Sequence, residues 1–110
     1  MEGNLSTVYK DVELIAVEYE NLLTELSSKQ EELVHVKEDY MEQKFIIKYV
    51  DDIDFKKLYG KNNDAVRDHH VSVVLQELIS KKQSLELEVE HLKRMVDFLK
   101  AVLYLKMYVV

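Results

Sequence analysis

Apolar residues in the first half of the chain follow one another at steps that alternate between three and four. This spacing places them along one side of a helix and is typical of a coiled-coil seam. We therefore expect a first helix over about residues 4–50. Its seam consists of Leu5, Val8, Val12, Ile15, Tyr19, Leu22, Leu26, Lys29, Leu33, Val36 and Tyr40.

A seam of the same rhythm runs through the second half and predicts a helix over about residues 64–108. It consists of Val71, Leu75, Leu78, Lys82, Leu85, Val89, Leu92, Val96, Leu99 and Leu103. When the two seams are paired from opposite ends, beginning with Val8 and Leu103, the two residue numbers of every pair add to 111. Antiparallel helices bring such pairs face to face. The predicted fold class is therefore all-α, a long antiparallel two-helix coiled-coil hairpin, as a single domain over residues 1–110.

One pair of seam positions is charged, because Lys29 and Lys82 fall in the same predicted layer. Two ammonium groups are costly in a dry core, so we expect their heads to reach water or Glu25, Glu32 and Glu86. A polar layer of this kind also fixes the register of paired helices. A cationic pocket for an anion is the less favoured interpretation.

The turn region is expected at about residues 51–63. Gly60 suits the left-handed residue that ends a helix, and Asn62 or Asn63 then caps the second helix, with Asp64 in its first turn. Residues 45–50 are β-branched and aromatic, so they form either the last turns of the first helix or a short extended piece. A short helical segment over 52–59 would lead from there to the glycine.

The stretch Leu58-Tyr-Gly-Lys-Asn-Asn-Asp-Ala-Val-Arg67 resembles the "GKN-x-x-x-R" turn of small helical proteins of tailed bacteriophages and prophages. In that family two long helices flank the turn, and the second often ends in Leu-Lys-x-x-Leu, where this chain has residues 99–103. The match covers about ten residues. Much of the family has no assigned function, and some members lie in early or anti-defence gene regions. The resemblance implies a phage setting and no particular reaction.

Composition narrows the possibilities further. The chain has 110 residues, no proline, no cysteine and two glycines, which favours few and long elements without disulfides. The net charge is −6 and no basic stripe is present, so binding to nucleic acid is not expected. The N-terminus lacks the features of a signal peptide, and the apolar stretch 95–110 is too short and too charged for a membrane span. We expect a soluble protein of the cytoplasm, that of the host cell if a phage encodes it.

No catalytic or metal-binding constellation emerges from the sequence. His69 and His70 are adjacent, so on a helix they point about 100° apart and cannot both join one site with Asp64 or Asp68. The chain has no phosphate-binding glycine loop and no nucleophile with a plausible base. We therefore predict a non-enzyme without cofactor or metal.

Both helices carry more apolar residues than one seam requires, and the surplus is greatest where the termini meet. Exposed apolar patches mark interfaces, so we expect a homodimer that forms a four-helix bundle through the terminal halves. The groove of a target protein is the alternative occupant. The predicted interface residues are Leu14, Val17, Met95, Phe98, Val102 and Leu105.

Two classes of function follow. The first is a non-catalytic protein-binding module that inhibits or tethers a host protein, such as a component of a defence system. The second is a structural or nucleic-acid-metabolism accessory factor that acts as a homo-oligomer. In the first class, the predicted partner contacts lie at the turn: Asp51, Asp52, Asp54, Tyr59, Gly60, Lys61, Asn62 and Arg67.

Overall fold

A computed structural model describes residues 2–108, with side chains described from residue 10 onward. The side chains of the predicted seam residues Leu5 and Val8 thus lie outside the described residues. The described chain is helical and contains no strand, which confirms the predicted all-α class. The elements are α1 (Glu2–Phe45), a π-helix (Ile46–Val50), α2 (Phe55–Tyr59), α3 (Asp64–Val74) and α4 (Gln76–Tyr108).

The chain divides into two compact units. The terminal unit comprises Met1–Glu31 and Leu87–Val110, and the turn unit comprises Glu32–Glu86. In both units the seam positions are the ones that fold inward, since every seam residue from Val12 to Leu103 is buried or half-buried. The alternating three- and four-residue pattern thus identifies the packed side of each long helix.

The core of the terminal unit is formed by Leu22, Leu92 and Val96. Partly buried neighbours surround this core: Tyr19, Leu26, Met95 and Leu99. Further along α1, Lys29 Nζ lies 3.3 Å from a carboxylate oxygen of Glu88. Residue numbers therefore rise on α1 as they fall on α4, so the two helices of this unit are antiparallel, as the mirrored seams predict.

The turn unit also pairs antiparallel helical segments. Lys81 on α4 lies 4.0 Å from Glu32 near the start of the unit, whereas Lys48 contacts Asp68 near the turn. Val71 is the most deeply buried side chain, with 2% of its surface exposed. The other buried hydrophobic residues of this unit are Leu33, Val36, Ile47, Phe55 and Leu85.

Each seam lysine finds partners within its own unit. Lys29 pairs with Glu88, which was not one of the three glutamates expected. Lys82 Nζ lies 3.9 Å from Glu86, an expected partner, and 5.1 Å from the centre of the Tyr40 ring. Both stems are half-buried and both heads reach a carboxylate, as expected for long amphipathic side chains.

The backbone departs from regular α-helix at two places. Residues 46–50 continue the first helix as a π-helix, so the alternative of an extended piece is wrong. At Leu75 the backbone angles change to φ −99° and ψ 22°, which divides the second predicted helix into α3 and α4. The hydrogen bonds from Leu75 N–H to Val71 O and from Ile79 N–H to Leu75 O persist, so this break is a local distortion.

Candidate interaction site at the turn

The turn is built from caps that satisfy the ends of its short helices. Asp54 accepts a hydrogen bond from the Lys57 N–H at 3.0 Å and begins α2, which starts later than the expected residue 52. Gly60 ends α2 in the left-handed conformation, with φ 77°. Asn63 accepts a bond from the Val66 N–H at 2.9 Å and caps α3. These side chains supply the acceptors that the first turn of a helix lacks.

Arg67 joins the end of the first helix to the start of α3. Its Nε donates to Asn62 Oδ1 at 2.9 Å, and a terminal nitrogen donates to the Lys48 carbonyl oxygen at 3.3 Å. The guanidinium carbon lies 5.9 Å from the centre of the Tyr49 ring and 5.5 Å from that of Phe55. A cation at the carbonyl end of a helix offsets its negative partial charge. Arg67 therefore acts as a clamp within the turn unit.

A second contact between the π-helix and α3 is the ion pair of Lys48 and Asp68, in which Lys48 Nζ lies 2.6 Å from Asp68 Oδ1. The Lys48 side chain is only 10% exposed, and its Nζ also lies 4.0 Å from a carboxylate oxygen of Asp64. The hydrogen bond from Lys48 lowers the pKa of Asp68, and the same bond raises the pKa of Lys48. The pair thus stabilises the charged form of both groups.

The two histidines have packing roles. The Tyr59 hydroxyl and His70 Nδ1 are 2.6 Å apart and share a hydrogen bond. Edge-to-face contacts join Tyr59 to His69 at 5.6 Å and Phe55 to His70 at 5.5 Å between ring centres. Among the described side chains, those of residues 10–108, no three His, Cys, Asp or Glu residues form a group suited to a metal ion.

The residues predicted to contact a partner at the turn differ in orientation. Tyr59 and Arg67 are half-buried and are occupied by contacts inside the unit. The remaining six are exposed: Asp51, Asp52, Asp54, Gly60, Lys61 and Asn62. Among these six, Asp54 also caps α2 and Asn62 also holds Arg67. The exposed part of the predicted set thus contains three aspartates and one lysine.

The sequence interpretation missed an exposed aromatic stripe formed by Met41, Phe45 and Tyr49. Their exposed fractions are 65%, 58% and 57%, and the two rings lie 5.4 Å apart. Together with Lys44 and Lys48 they line a surface depression of about 300 Å³. The steps of four residues, away from the seam, were a signal that could have identified this stripe.

The predicted oligomer interface lies within the terminal unit. Leu14, Val17, Phe98 and Leu105 are exposed by 69%, 56%, 67% and 56%, respectively. Met95 and Val102 are half-buried, and Met95 also packs against the core of the unit. Large apolar side chains are thus left uncovered by the two helices of this unit.

Comparison with protein-family models, with curated proteins and with solved structures finds no match to this chain. The turn itself can be compared with the phage pattern in one respect. Four residues separate Asn62 from Arg67, one more than "GKN-x-x-x-R" contains, whereas the spacing from Asn63 agrees. Asn63 is also the observed cap. None of the described helices is both long enough and apolar enough to cross a membrane.

Proposed function

We propose that this chain is a non-catalytic protein-binding module whose partner docks on the aromatic stripe. The observation that carries the proposal is the exposure of Met41, Phe45 and Tyr49 beside a turn that is extensively tied together by hydrogen bonds. Aromatic residues and methionine are enriched at the centres of protein interfaces. A site that is already ordered loses little conformational entropy when it binds.

The rim of the stripe provides polarity for such a contact. Lys44 and Lys48 line the same depression, and the exposed carboxylates of Asp51 and Asp52 follow directly in the chain. An apolar centre with a charged rim is the usual arrangement of a reversible interface. The charges contribute to the choice and orientation of the partner, while the rings contribute the larger share of affinity.

The resemblance of the turn to phage proteins supports a specific setting for this activity. We propose that a phage encodes the chain and that it acts in the cytoplasm of the host cell. There it would bind and inhibit, or tether, a host protein, and a component of a defence system is the concrete candidate. Such a role requires a stable binding surface and no catalytic group.

The test is affinity capture from bacterial lysate with the purified chain, followed by reconstitution with the captured protein. The double variant F45A/Y49A should lose the partner, because it removes both rings of the stripe. V73A is the matched control, since Val73 is 55% exposed in the same unit but is not part of the stripe. Equal binding by both variants and the unaltered chain in the reconstituted assay would refute docking on the stripe.

The second candidate function is that of a structural or nucleic-acid-metabolism accessory factor that works as a homodimer. The exposure of Leu14, Phe98 and Leu105 in the terminal unit favours it, since like apolar patches associate without a second gene product. Light scattering at two protein concentrations tests the dimer. A strict monomer at high micromolar concentration would exclude this function and leave the terminal unit as a partner site.

A further inference from the structure

The aromatic stripe borders a groove of the turn unit. Two surface depressions form this groove, and Met41 lines both of them. One is the depression of about 300 Å³ beside the stripe, which Lys44 and Lys48 also line. The other lies between α1 and α4, has a volume of about 330 Å³ and is lined by Lys37, Tyr40, Met41, Lys82 and Glu86. We call the two depressions together the basic groove.

The lining of the basic groove contains four lysines and one glutamate. Two of the lysines are already paired inside the unit, since Lys48 and Lys82 lie 2.6 and 3.9 Å from carboxylate oxygens. Among the described side chains, no ion pair involves Lys37 or Lys44. These two ammonium groups therefore remain available to carboxylates of a partner.

The ring of Tyr40 fixes part of this charge at the groove. The ammonium groups of Lys44 and Lys82 lie 5.9 and 5.1 Å from the centre of the ring. A cation at this distance from an aromatic ring is attracted by it. Lys44 is thus held in place before a partner arrives, so less conformational entropy is lost when it binds.

The unpaired charges have opposite signs on the two sides of the stripe. At 100° per residue around the helix, Lys37 and Lys44 lie about 40° and 60° from Met41 on the side of the groove. Glu38 and Glu42, both exposed, lie about 60° and 100° from Met41 on the other side. A partner that covers the stripe is therefore attracted if its acidic groups lie along the edge that faces the groove.

The groove on the other side of the seam has the reverse character. The charged residues of its lining are Asp39, Glu77 and Lys81. Lys81 lies 4.0 Å from Glu32, so its charge is already offset inside the unit. An acidic segment would thus be attracted to the basic groove and repelled from this second groove.

We propose that the basic groove receives an amphipathic helix of the partner protein that carries acidic residues along one edge. Its apolar side chains would lie on the aromatic stripe. Two of its carboxylates, seven residues apart, would meet Lys37 and Lys44, which are separated by the same interval of about 10.5 Å along α1. The inference rests on the protein-binding function proposed above and adds the chemical class of the segment that the partner presents.

The first test selects binders of the full chain from a ribosome-displayed library of helical peptides of about 18 residues, a length at which a helix can form alone. Leucine is fixed at steps of three and four, and the positions on both edges are randomised. We expect Asp and Glu to be enriched on one edge, in pairs seven residues apart. A selection that yields no binder, or binders without acidic enrichment, overturns the inference.

The double variant F45A/Y49A separates this inference from the proposed function. Selected peptides that lack an acidic edge but lose binding to F45A/Y49A would refute the acidic partner and leave docking on the aromatic stripe intact. Selected peptides that bind F45A/Y49A as well as the unaltered chain would refute both.

The second test reverses the two unpaired charges and measures the affinity of a selected acidic peptide by fluorescence anisotropy. K37E/K44E should raise the dissociation constant at least about 10-fold. K56E/K57E is the matched control, because it makes the same change of charge at two exposed residues of the turn unit outside the groove. An equal loss of affinity in both variants would reflect net charge alone and overturn the inference.

A charge-swapped peptide shows that K37E/K44E remains folded. This peptide has lysine at its two acidic positions and should bind K37E/K44E more tightly than it binds the unaltered chain. Restored binding requires an intact groove, which an unfolded variant would lack. A swapped peptide that does not prefer the variant would contradict direct contact with Lys37 and Lys44.

Discussion

At the scale of single residues, the turn depends on two cations that act in different ways. Arg67 divides its donors between the Asn62 side chain and the Lys48 carbonyl oxygen, so it connects three segments of the turn unit. Lys48 uses its ammonium group for Asp68 on α3. Lys48 thus supplies a backbone acceptor to Arg67 and a side-chain donor to Asp68. These two contacts of Lys48 hold the π-helix against α3.

The ion pair predicts a specific dependence of stability on pH. Because the folded pKa of Asp68 is lowered, the stability that this carboxylate contributes is present above the unfolded pKa. It is lost as the pH falls through the folded pKa. Because the pKa of Lys48 is raised, its contribution is present below the ordinary value of 10.5 and is lost as the pH rises through the folded pKa. The Asp68→Asn variant should therefore melt at a lower temperature near neutral pH.

The matched control for this prediction is Asp64→Asn, since Asp64 lies 4.0 Å from Lys48 and is 82% exposed. Thermal melts by circular dichroism from about pH 7 to about pH 2 provide the measurement. The gap in melting temperature between the unaltered chain and Asp68→Asn should close at the acid end, where Asp68 is protonated in both the folded and the unfolded state. A gap that is constant with pH, or as large for Asp64→Asn, would contradict a role for the charged pair.

At the scale of elements, the regular parts of the structure follow from the sequence and the irregular parts do not. The seam predicts which side of each long helix is packed, because a three-and-four repeat has one consistent geometry. The π-helix at 46–50 and the distortion at Leu75 do not interrupt that repeat. Ile47, within the π-helix, and Val71, one turn before Leu75, are both buried. Hydrophobic periodicity alone therefore gives no signal for either feature.

The caps illustrate which parts of the candidate site are predictable. Gly60 is the left-handed residue that ends α2, and Asn63 accepts the hydrogen bond that caps α3. Both roles depend on neighbouring residues alone, so they can be inferred from local sequence. Arg67 instead reaches a carbonyl 19 residues away, and that contact exists only when the two helices have paired. The four-residue spacing of Met41, Phe45 and Tyr49 is visible in the sequence, whereas the exposure of the two rings depends on how the turn folds.

Gly60 provides the test of the turn as an element. Its φ of 77° is disfavoured for any residue with a Cβ atom, and an added Cβ would meet no atom within 4 Å. The cost of Gly60→Ala should therefore be backbone strain alone, about 1–2 kcal/mol in the free energy of unfolding. Gly60→Asn should cost less, because asparagine tolerates the left-handed region. Urea denaturation measures both, and equal stability of Gly60→Ala and the unaltered chain would contradict the strain argument.

At the scale of the whole molecule, each unit has apolar side chains beyond those its own helices cover. In the turn unit this surplus includes the aromatic stripe, and in the terminal unit it includes Phe98 and Leu105. An antiparallel helix pair buries one seam per helix, so additional stripes of this kind need another molecule to cover them. Each unit therefore has large apolar side chains of its own that remain exposed.

The net charge of −6 decides whether the accessory function can involve direct contact with nucleic acid. Binding to a phosphate backbone draws most of its affinity from released counterions, which requires a cluster of basic residues. The four basic residues of α4 at 93–106 belong to the same unit as the segment 11–25 of α1, which carries five acidic residues and no basic one. We therefore expect no retardation of double- or single-stranded DNA in a gel-shift assay, even at about 50 mM salt where such contacts are strongest. Salt-sensitive binding by the unaltered chain would contradict the expectation and favour the accessory function over the protein-binding module.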